Sequence, residues 1–206
     1  MDERSEPDLI ARILGGERQL FHDLVRPYER AVYVAAYAIL RDHADAEEAA
    51  QETMLKVLLH LGQLEHREKF NSWLLQIAVN EARLQRRRKH ASLYEPLDPA
   101  EPNEPFTPRD FADWRELPSE AAERSEVRAA IARALDDLPD LYREVFVLRD
   151  VQQIGTQDAA RILGISVPAV KVRLHRARLM MREKLAPAFR RRWFDWISVF
   201  KGKKPW

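Results

Sequence analysis

Six prolines within residues 91–120 limit how this chain can fold more than any other feature. They are Pro96, Pro99, Pro102, Pro105, Pro108 and Pro118. A proline inside a helix removes a backbone hydrogen bond and clashes with the preceding turn. Acidic residues crowd the same stretch, and too few apolar residues remain there to form a core. We therefore predict an extended, flexible linker over 91–120, which separates two folding units. Besides acting as a spacer, so acidic a linker is suited to occupy a nucleic-acid channel or to mask basic faces in the free protein.

The residues before the linker predict a compact four-helix unit over 8–90. Apolar side chains recur there every three or four residues, which is the period of an amphipathic helix. Asp42 is the predicted N-cap of the third helix. We expect the apolar face of that helix to consist of Ala50, Met54, Leu55, Leu58 and Leu61. No stretch of the chain alternates apolar and polar residues as a strand does, so the predicted fold class is all-α.

Two surfaces of this unit are not explained by packing. The outward side of the third helix carries Glu47, Glu48, Gln51, Glu52 and Lys56. From these residues alone, a solvated face supported by Glu–Lys pairs is the simpler interpretation. The second surface is a run without acids that contains Arg83, Arg86, Arg87, Arg88 and Lys89. On a helix, the first three of these share a face with Asn80.

Two aromatic residues, Phe70 and Trp73, lie just upstream of the basic run. Aromatic rings beside cations suit a single strand whose bases stack and whose phosphates need counter-charges. Taken alone, Trp73 is more typical of a core residue.

After the linker, residues 121–186 predict a second helical domain that ends in a helix-turn-helix. Ala160, Gly164 and Val170 have the spacing of that motif. Gly164 allows the left-handed backbone that ends a helix, Ser166 is a predicted N-cap, and Pro168 falls in the first turn. The exposed face of the second helix is basic and carries Lys171, Arg173, His175, Arg176, Arg178 and Arg182. Such a helix fits the major groove of DNA, although a packed pair with a solvated basic face has the same pattern.

Composition narrows the class of protein. The chain of 206 residues has no cysteine, which excludes disulfides and cysteine metal sites. Its six histidines are scattered, and no glycine-rich phosphate loop or nucleophile motif is present. We expect no catalytic residues, no metal and no cofactor, and therefore not an enzyme. The N-terminus does not resemble a signal peptide and no apolar run is long enough to span a membrane, so we expect a cytoplasmic protein.

The last residues, 187–206, predict a C-terminal extension with an aromatic helix. Trp193, Phe194, Trp196, Ile197 and Phe200 leave only a narrow polar stripe on that helix. A helix so apolar needs a cover. The domains of this chain are the first candidate, a partner protein the second and an anionic membrane surface the third.

Four segments in this order resemble the sigma-70 family of RNA polymerase sigma factors, in particular its extracytoplasmic-function (ECF) group. ADAEEAAQETMLKV at 44–57 is similar to region 2.2, and FNSWLLQIAVNEARLQRRRK at 70–89 is similar to regions 2.3 and 2.4. LDDLPDLYREVFVLRDV at 135–151 resembles region 4.1, and AARILGISVPAVKVRLHRAR at 159–178 resembles region 4.2. Each segment is moderately specific, and together they are highly specific.

The resemblance implies a role for each surface. The face that would bind core polymerase, through the β′ clamp helices, consists of Glu48, Gln51, Glu52 and Leu55. The surface that would meet the −10 element consists of Phe70, Asn71, Trp73, Asn80, Arg83, Arg86 and Arg87. The loop Gly62–Lys69 would capture a flipped base. The −35 element would be read by Lys171, Val172, His175 and Arg176, while Arg173 and Arg178 hold phosphates.

The resemblance also implies partners. These are core RNA polymerase with its β′ and β subunits, promoter DNA as a −35 duplex and a −10 single strand, and an anti-sigma factor, commonly membrane-bound. No small-molecule substrate is expected. Two rival hypotheses remain: a dimeric helix-turn-helix regulator with an effector domain, and an interaction protein that uses the same helices without promoter binding.

Overall fold

The computed structural model describes residues 5–92 and 129–186, which we call the first and second unit, and every regular element within these ranges is a helix. The predicted linker lies outside the described residues except for its first two positions, and the C-terminal extension lies outside them entirely. The first unit contains α1 (Glu6–Leu14), α2 (Phe21–Val25), α3 (Glu29–Leu40), α4 (His43–His60) and α5 (Phe70–Ser92). The all-α prediction is confirmed. A single-turn helix, α2, adds to the four predicted helices, and α5 continues two residues beyond position 90.

Local sequence signals explain the helix ends of this unit. Asp42 caps α4, because its carboxylate accepts a hydrogen bond from the Asp45 backbone N–H at 2.9 Å. Just before it, Arg41 takes a left-handed conformation (φ 58°) that ends α3. Short 3₁₀ turns, Leu61–Gln63 and Arg67–Lys69, frame the loop between α4 and α5. The predicted N-cap is therefore confirmed.

The predicted apolar face of α4 is only partly correct: Leu61 is buried, and Ala50 and Met54 are partly buried against the core. The buried side chains are Ala46, Ala49, Thr53 and Val57, while Leu55 and Leu58 are 55% and 39% exposed. Small residues face inward because α4 packs closely against both α3 and α5. The larger core residues come from other elements, among them Ile10, Leu24, Leu61, Phe70 and Leu74.

The second unit contains the predicted helix-turn-helix. Its helices are α6 (129–136), α7 (Asp140–Phe146), α8 (Thr156–Leu163) and α9 (Val167–Leu185). A π-helical turn, Val147–Val151, continues α7. Gly164 ends α8 at φ 66°, and the Ser166 hydroxyl accepts a hydrogen bond from the Ala169 N–H at 3.3 Å. The predicted turn, cap and proline position are confirmed.

The two units pack against each other and share one hydrophobic core. Helices α3 and α5 of the first unit contact α7 and α8 of the second. Ala35, Ala38 and Val79 lie in the same cluster as Leu148 and Leu163. The small alanines let α3 approach α7 closely. The sequence did not predict this closed arrangement.

Arg143 ties the second unit to the first from within the core. It is 2% exposed, and its guanidinium donates hydrogen bonds to the carbonyls of Leu135 (3.0 Å), Asp136 (3.3 Å) and Leu138. A further bond at 3.1 Å reaches the carbonyl of Ala38 in α3. Burial lowers the pKa of Arg143 below its usual value. Its role is to satisfy carbonyls that the ends of α6 and α3 leave without helical partners.

Candidate nucleic-acid and protein interfaces

The outward face of α4 combines acids and an amide with exposed leucines. The predicted polymerase-binding residues Glu48, Gln51, Glu52 and Leu55 are all exposed on it. The nearby Leu59 is 76% exposed. Gln85 of α5 donates a hydrogen bond to Glu48 at 2.8 Å. Exposed leucines among acidic side chains are typical of a surface that docks another protein.

The four predicted −10 residues in the middle and later part of α5 form two pairs. Asn80 and Arg87 are exposed. Arg83 and Arg86 are partly buried, because both point into the seam between the units. Of these four residues, two are therefore open to solvent and two contact the second unit.

The residues at the start of α5 are more buried than a stacking surface requires. Phe70 is fully buried and makes ring contacts with Tyr28 (5.4 Å) and Trp73 (6.2 Å). Its ring belongs to the core and cannot stack on a base in this structure. Asn71 is half-buried, and its Oδ1 has no hydrogen-bond partner. Trp73 is half-buried.

A cavity of about 300 Å³ lies between the end of α4 and the middle of α5. It is lined by Lys56, His60, Gln63, Trp73, Ile77, Asn80 and Glu81. Lys56 and the buried Glu81 form an ion pair within it. The cavity is therefore partly aromatic and partly charged. It brings Trp73 and Asn80 together with Gln63 of the predicted base-capture loop, and with His60 and Glu81, which sequence reasoning missed. The exposed acids and the basic run stood out in the sequence, whereas His60 and Glu81 belong to no motif of their own.

The second helix of the helix-turn-helix, α9, presents its predicted base-reading residues to solvent. Lys171, His175 and Arg176 are exposed, and Val172 is 52% exposed. Arg173 is half-buried. The opposite side of α9 is anchored by Val170, Leu174, Ala177, Met181 and Leu185. Packing therefore fixes which face of α9 is available to a DNA groove.

Arg178, a predicted phosphate contact, is engaged within the protein. Its Nε and Nη2 donate hydrogen bonds to the two carboxylate oxygens of Asp150 at 2.8 and 2.7 Å. This bidentate pair raises the pKa of Arg178. Asp150 belongs to the π-helical turn after α7, so the pair fixes α9 relative to α7. The phosphate contact of Arg178 stays a prediction. The ion pair with Asp150 would have to break, at least in part, for Arg178 to bind a phosphate.

Sequence reasoning missed the acids that face α5. Glu144 and Asp140 lie on α7 and form ion pairs with Arg83 and Arg86. In the sequence they are two acids in an ordinary amphipathic helix, and only the packing of the units brings them to the basic run. Among residues 5–92 and 129–186, no group of three or more His, Asp or Glu residues is arranged to hold a metal ion. No helix within the same ranges is long and apolar enough to cross a membrane.

Comparison with protein families gives two matches. The model of sigma-70 region 2 matches residues 24–92, and the model of sigma-70 region 4 matches residues 128–181. They correspond to the two units. The chain is 31% identical over 185 residues to the ECF RNA polymerase sigma factor SigM of Mycobacterium tuberculosis, which covers 89% of this chain and 86% of SigM. It is 28% identical over 176 residues to the ECF RNA polymerase sigma factor SigW of Bacillus subtilis, covering 85% of this chain and 94% of SigW.

Two solved structures have the same fold. One is the sigma factor RpoE in complex with the anti-sigma factor NepR from Bartonella quintana, with a TM-score of 0.62, 23% identity and coverage of 80% of this chain and 96% of RpoE. The other is CnrH in complex with the cytosolic domain of CnrY, with a TM-score of 0.58, 24% identity and coverage of 88% and 97%.

Proposed function

We propose that this chain binds core RNA polymerase and directs it to specific promoters, because it belongs to the ECF group of the sigma-70 family of RNA polymerase sigma factors. The first unit is then region 2 and the second unit is region 4. The observation that carries the proposal is that a protein-docking face on α4 and a groove-reading face on α9 are both exposed on one chain. A sigma factor needs both faces, because it must hold the enzyme and the promoter together.

The α4 face is the proposed contact with the β′ clamp helices. Gln51 and Glu52 supply hydrogen-bond acceptors and charge, and Leu55 supplies an apolar anchor. Leu55 is 55% exposed, so its complete burial in an interface would contribute about half of the ~1.5–3 kcal/mol that full burial of a leucine gives. The exposure of these three side chains supports the part of the proposal that concerns core polymerase.

The cavity beside Trp73 is the proposed site for an unstacked base of the −10 strand. Its volume of about 300 Å³ is large enough for a base. Trp73 offers a ring for stacking, and Asn80 offers an amide that both donates and accepts hydrogen bonds. The loop Gly62–Lys69 lies at one rim through Gln63. Arg87, with Arg83 and Arg86, provides positive charge for the neighbouring phosphates.

The α9 face is the proposed −35 reader. Lys171 and Arg176 supply donors for guanine edges, and His175 and Val172 lie on the same exposed face. Arg176 also donates a hydrogen bond to the Tyr142 hydroxyl of α7 at 3.3 Å. Phosphate contacts from Arg173 position the helix without reading sequence.

We further propose control by an anti-sigma factor. The support is that two structures of the same fold were solved as complexes with anti-sigma factors or with a cytosolic partner domain. As an initiation factor, this chain supplies no catalytic group of its own, and RNA synthesis belongs to the polymerase. The proposed location is the cytoplasm, because core polymerase and promoter DNA are found there.

Run-off transcription tests the proposal. Purified core polymerase is given fragmented DNA from the source genome, with and without this protein. The expected result is a set of new start sites that share spaced −35 and −10 elements. The combined change Gln51→Ala, Glu52→Ala is expected to abolish the signal through loss of polymerase binding. Asp23→Ala removes an exposed acid from α2 and should leave the signal intact. A complete absence of new starts with folded protein and active core would contradict the proposal.

A further inference from the structure

The guanidinium of Arg83 is satisfied on both sides by the second unit. Its Nη2 lies 2.5 Å from Glu144 Oε2, and its Nη1 donates a hydrogen bond to the Leu163 carbonyl at 3.2 Å. Arg86 Nη1 lies 3.2 Å from Asp140 Oδ2 and 3.9 Å from Glu144 Oε1. Two arginines of α5 therefore share a set of oxygen acceptors from α7 and α8.

These acceptors have the chemistry of a nucleic-acid backbone. A carboxylate and a phosphate both offer anionic oxygens that a guanidinium binds through two parallel N–H groups. The Leu163 carbonyl lies at the end of α8, where the helix dipole adds partial negative charge. Arg83 therefore meets in the second unit the same kind of partner that a DNA strand would offer it.

The interface between the units has no room for both Glu144 and a DNA strand beside Arg83. Glu144 is about nine-tenths buried. The gap beside it, lined by Ala35, Ala38, Val79 and Leu148 among others, has a volume of about 10 Å³. That space holds one water molecule and no nucleotide. A DNA strand can reach Arg83 only after the units separate.

We propose that α7 and the end of α8 form an internal competitor for the −10 strand, so that the closed arrangement masks Arg83 and Arg86. This inference rests on the proposed function of α5. The mask is selective, because Arg87, the α4 face and the base-reading residues of α9 stay exposed in the closed arrangement. The closed protein can therefore dock on polymerase or on duplex DNA, but it holds a melted strand only after opening.

The size of the effect follows from the population of the closed state. A ligand that binds only the open state has its apparent affinity reduced by the open fraction. If nine molecules in ten are closed, removal of the mask tightens strand binding by about tenfold. The variant Glu144→Gln keeps the shape of the side chain and removes the charge that pairs with Arg83. Asp137→Asn is the matched control, because it removes one acid from an exposed ion pair with Lys184 inside the second unit.

Opening is measured by energy transfer between two dyes. The chain has no cysteine, so Asp23→Cys and Glu183→Cys provide one thiol in each unit for labelling. Both positions are exposed. In the full chain, Glu144→Gln should shift molecules from high to low transfer efficiency, and Asp137→Asn should not. Circular dichroism confirms that each variant is folded.

Strand binding is measured with a fluorescein-labelled oligothymidylate of about 20 nucleotides at low salt. Glu144→Gln should bind this probe several-fold to about tenfold more tightly than the unchanged chain. Adding Arg83→Ala to Glu144→Gln should remove most of the gain. Asp137→Asn should bind as the unchanged chain does.

The outcomes separate the mask from the function on which it rests. Opening together with tighter binding in Glu144→Gln alone supports the inference. Opening without tighter binding, no opening, or equal gains in Asp137→Asn each overturn it. The −10 role of α5 is read separately from run-off transcription with Arg87→Ala, since Arg87 is exposed whether or not the mask exists. Loss of transcription there, with no effect of Glu144→Gln on the probe, would overturn the mask and leave the proposed function standing.

Discussion

At the scale of single residues, Arg178 has two uses that exclude each other. It is held by both oxygens of Asp150, whose side chain is 10% exposed, whereas Arg178 itself is 53% exposed. The exposed position on a basic helix predicts a phosphate contact. The bidentate geometry instead indicates a brace between α9 and the turn after α7.

Replacement of Arg178 by alanine distinguishes these uses. If the brace dominates, Arg178→Ala lowers the free energy of unfolding by about 1 kcal/mol, as expected for a well-aligned pair near the surface. The salt dependence of duplex binding should stay unchanged, because no phosphate contact is lost. Urea unfolding and duplex titrations at several salt concentrations give both values. Arg182→Ala, an exposed arginine one turn further along, is the control for stability. A salt slope that falls by about 1 with unchanged stability would favour the phosphate contact.

Asp136 predicts a pH dependence of stability. Burial raises the pKa of Asp136, although Arg41, Arg143 and His43 act against this shift. An acid whose folded pKa is raised favours the folded state at low pH, and that contribution is lost as pH rises through the folded pKa. We expect Asp136→Asn to be more stable than the unchanged chain at about pH 7, with the margin shrinking towards about pH 4. Urea unfolding across this range measures the margin. A margin that does not change with pH would contradict the assignment.

At the scale of elements, the turn between α8 and α9 depends on Gly164. Its φ of 66° is a conformation that a side chain disfavours, although no neighbouring atom lies within 4 Å of an added Cβ. Gly164→Ala should therefore destabilise the protein by about 1 kcal/mol through backbone strain alone. Gly62→Ala is the matched control, since its Cβ would meet only the Leu14 side chain at 3.7 Å. Thermal unfolding of both variants tests the difference, and equal melting temperatures would show that the turn relaxes without cost.

The elements also show how far sequence reasoning extends. Asp42, Gly164 and Ser166 predicted caps and a turn correctly, because these effects act within a few residues of the chain. The apolar face of α4 was predicted only in part, since large side chains such as Leu55 outweigh alanines in any hydrophobic pattern. Leu55 is exposed because α3 and α5 pack closely on the other side of α4, where small side chains lie. The cavity beside Trp73 was missed for the same reason: its walls come from two helices and a turn.

At the scale of the whole molecule, the closed arrangement depends on residues whose sequence pattern predicts only the helix in which each one lies. Ala35 and Ala38 of α3 fit any helix of the first unit, and Glu144 fits any solvated face. Ala38 and Glu144 line the same gap between the units although they are more than 100 positions apart in the sequence. Residues 93–128 separate the two units in the sequence. Hydrophobic periodicity therefore predicts the helices of each unit, but it gives no information on how the two units contact each other. What the structure adds is a shared core, continuous from Ala38 to Leu163.

A shared core predicts that both units unfold together. The full chain should show one cooperative transition, because α3 and α7 lose their contacts in the same event. Ala38→Glu places a charge in the seam, where Ala38 is 4% exposed, and burial of that charge is too costly for the units to stay closed. We expect two transitions by calorimetry, with the helical circular dichroism signal retained at low temperature. The same variant should bind the oligothymidylate more tightly, as Glu144→Gln does. Ala44→Glu adds the same charge at an exposed position of α4 and should keep the single transition. If Ala38→Glu also unfolds in one step at the original temperature, the two units are not coupled through this seam.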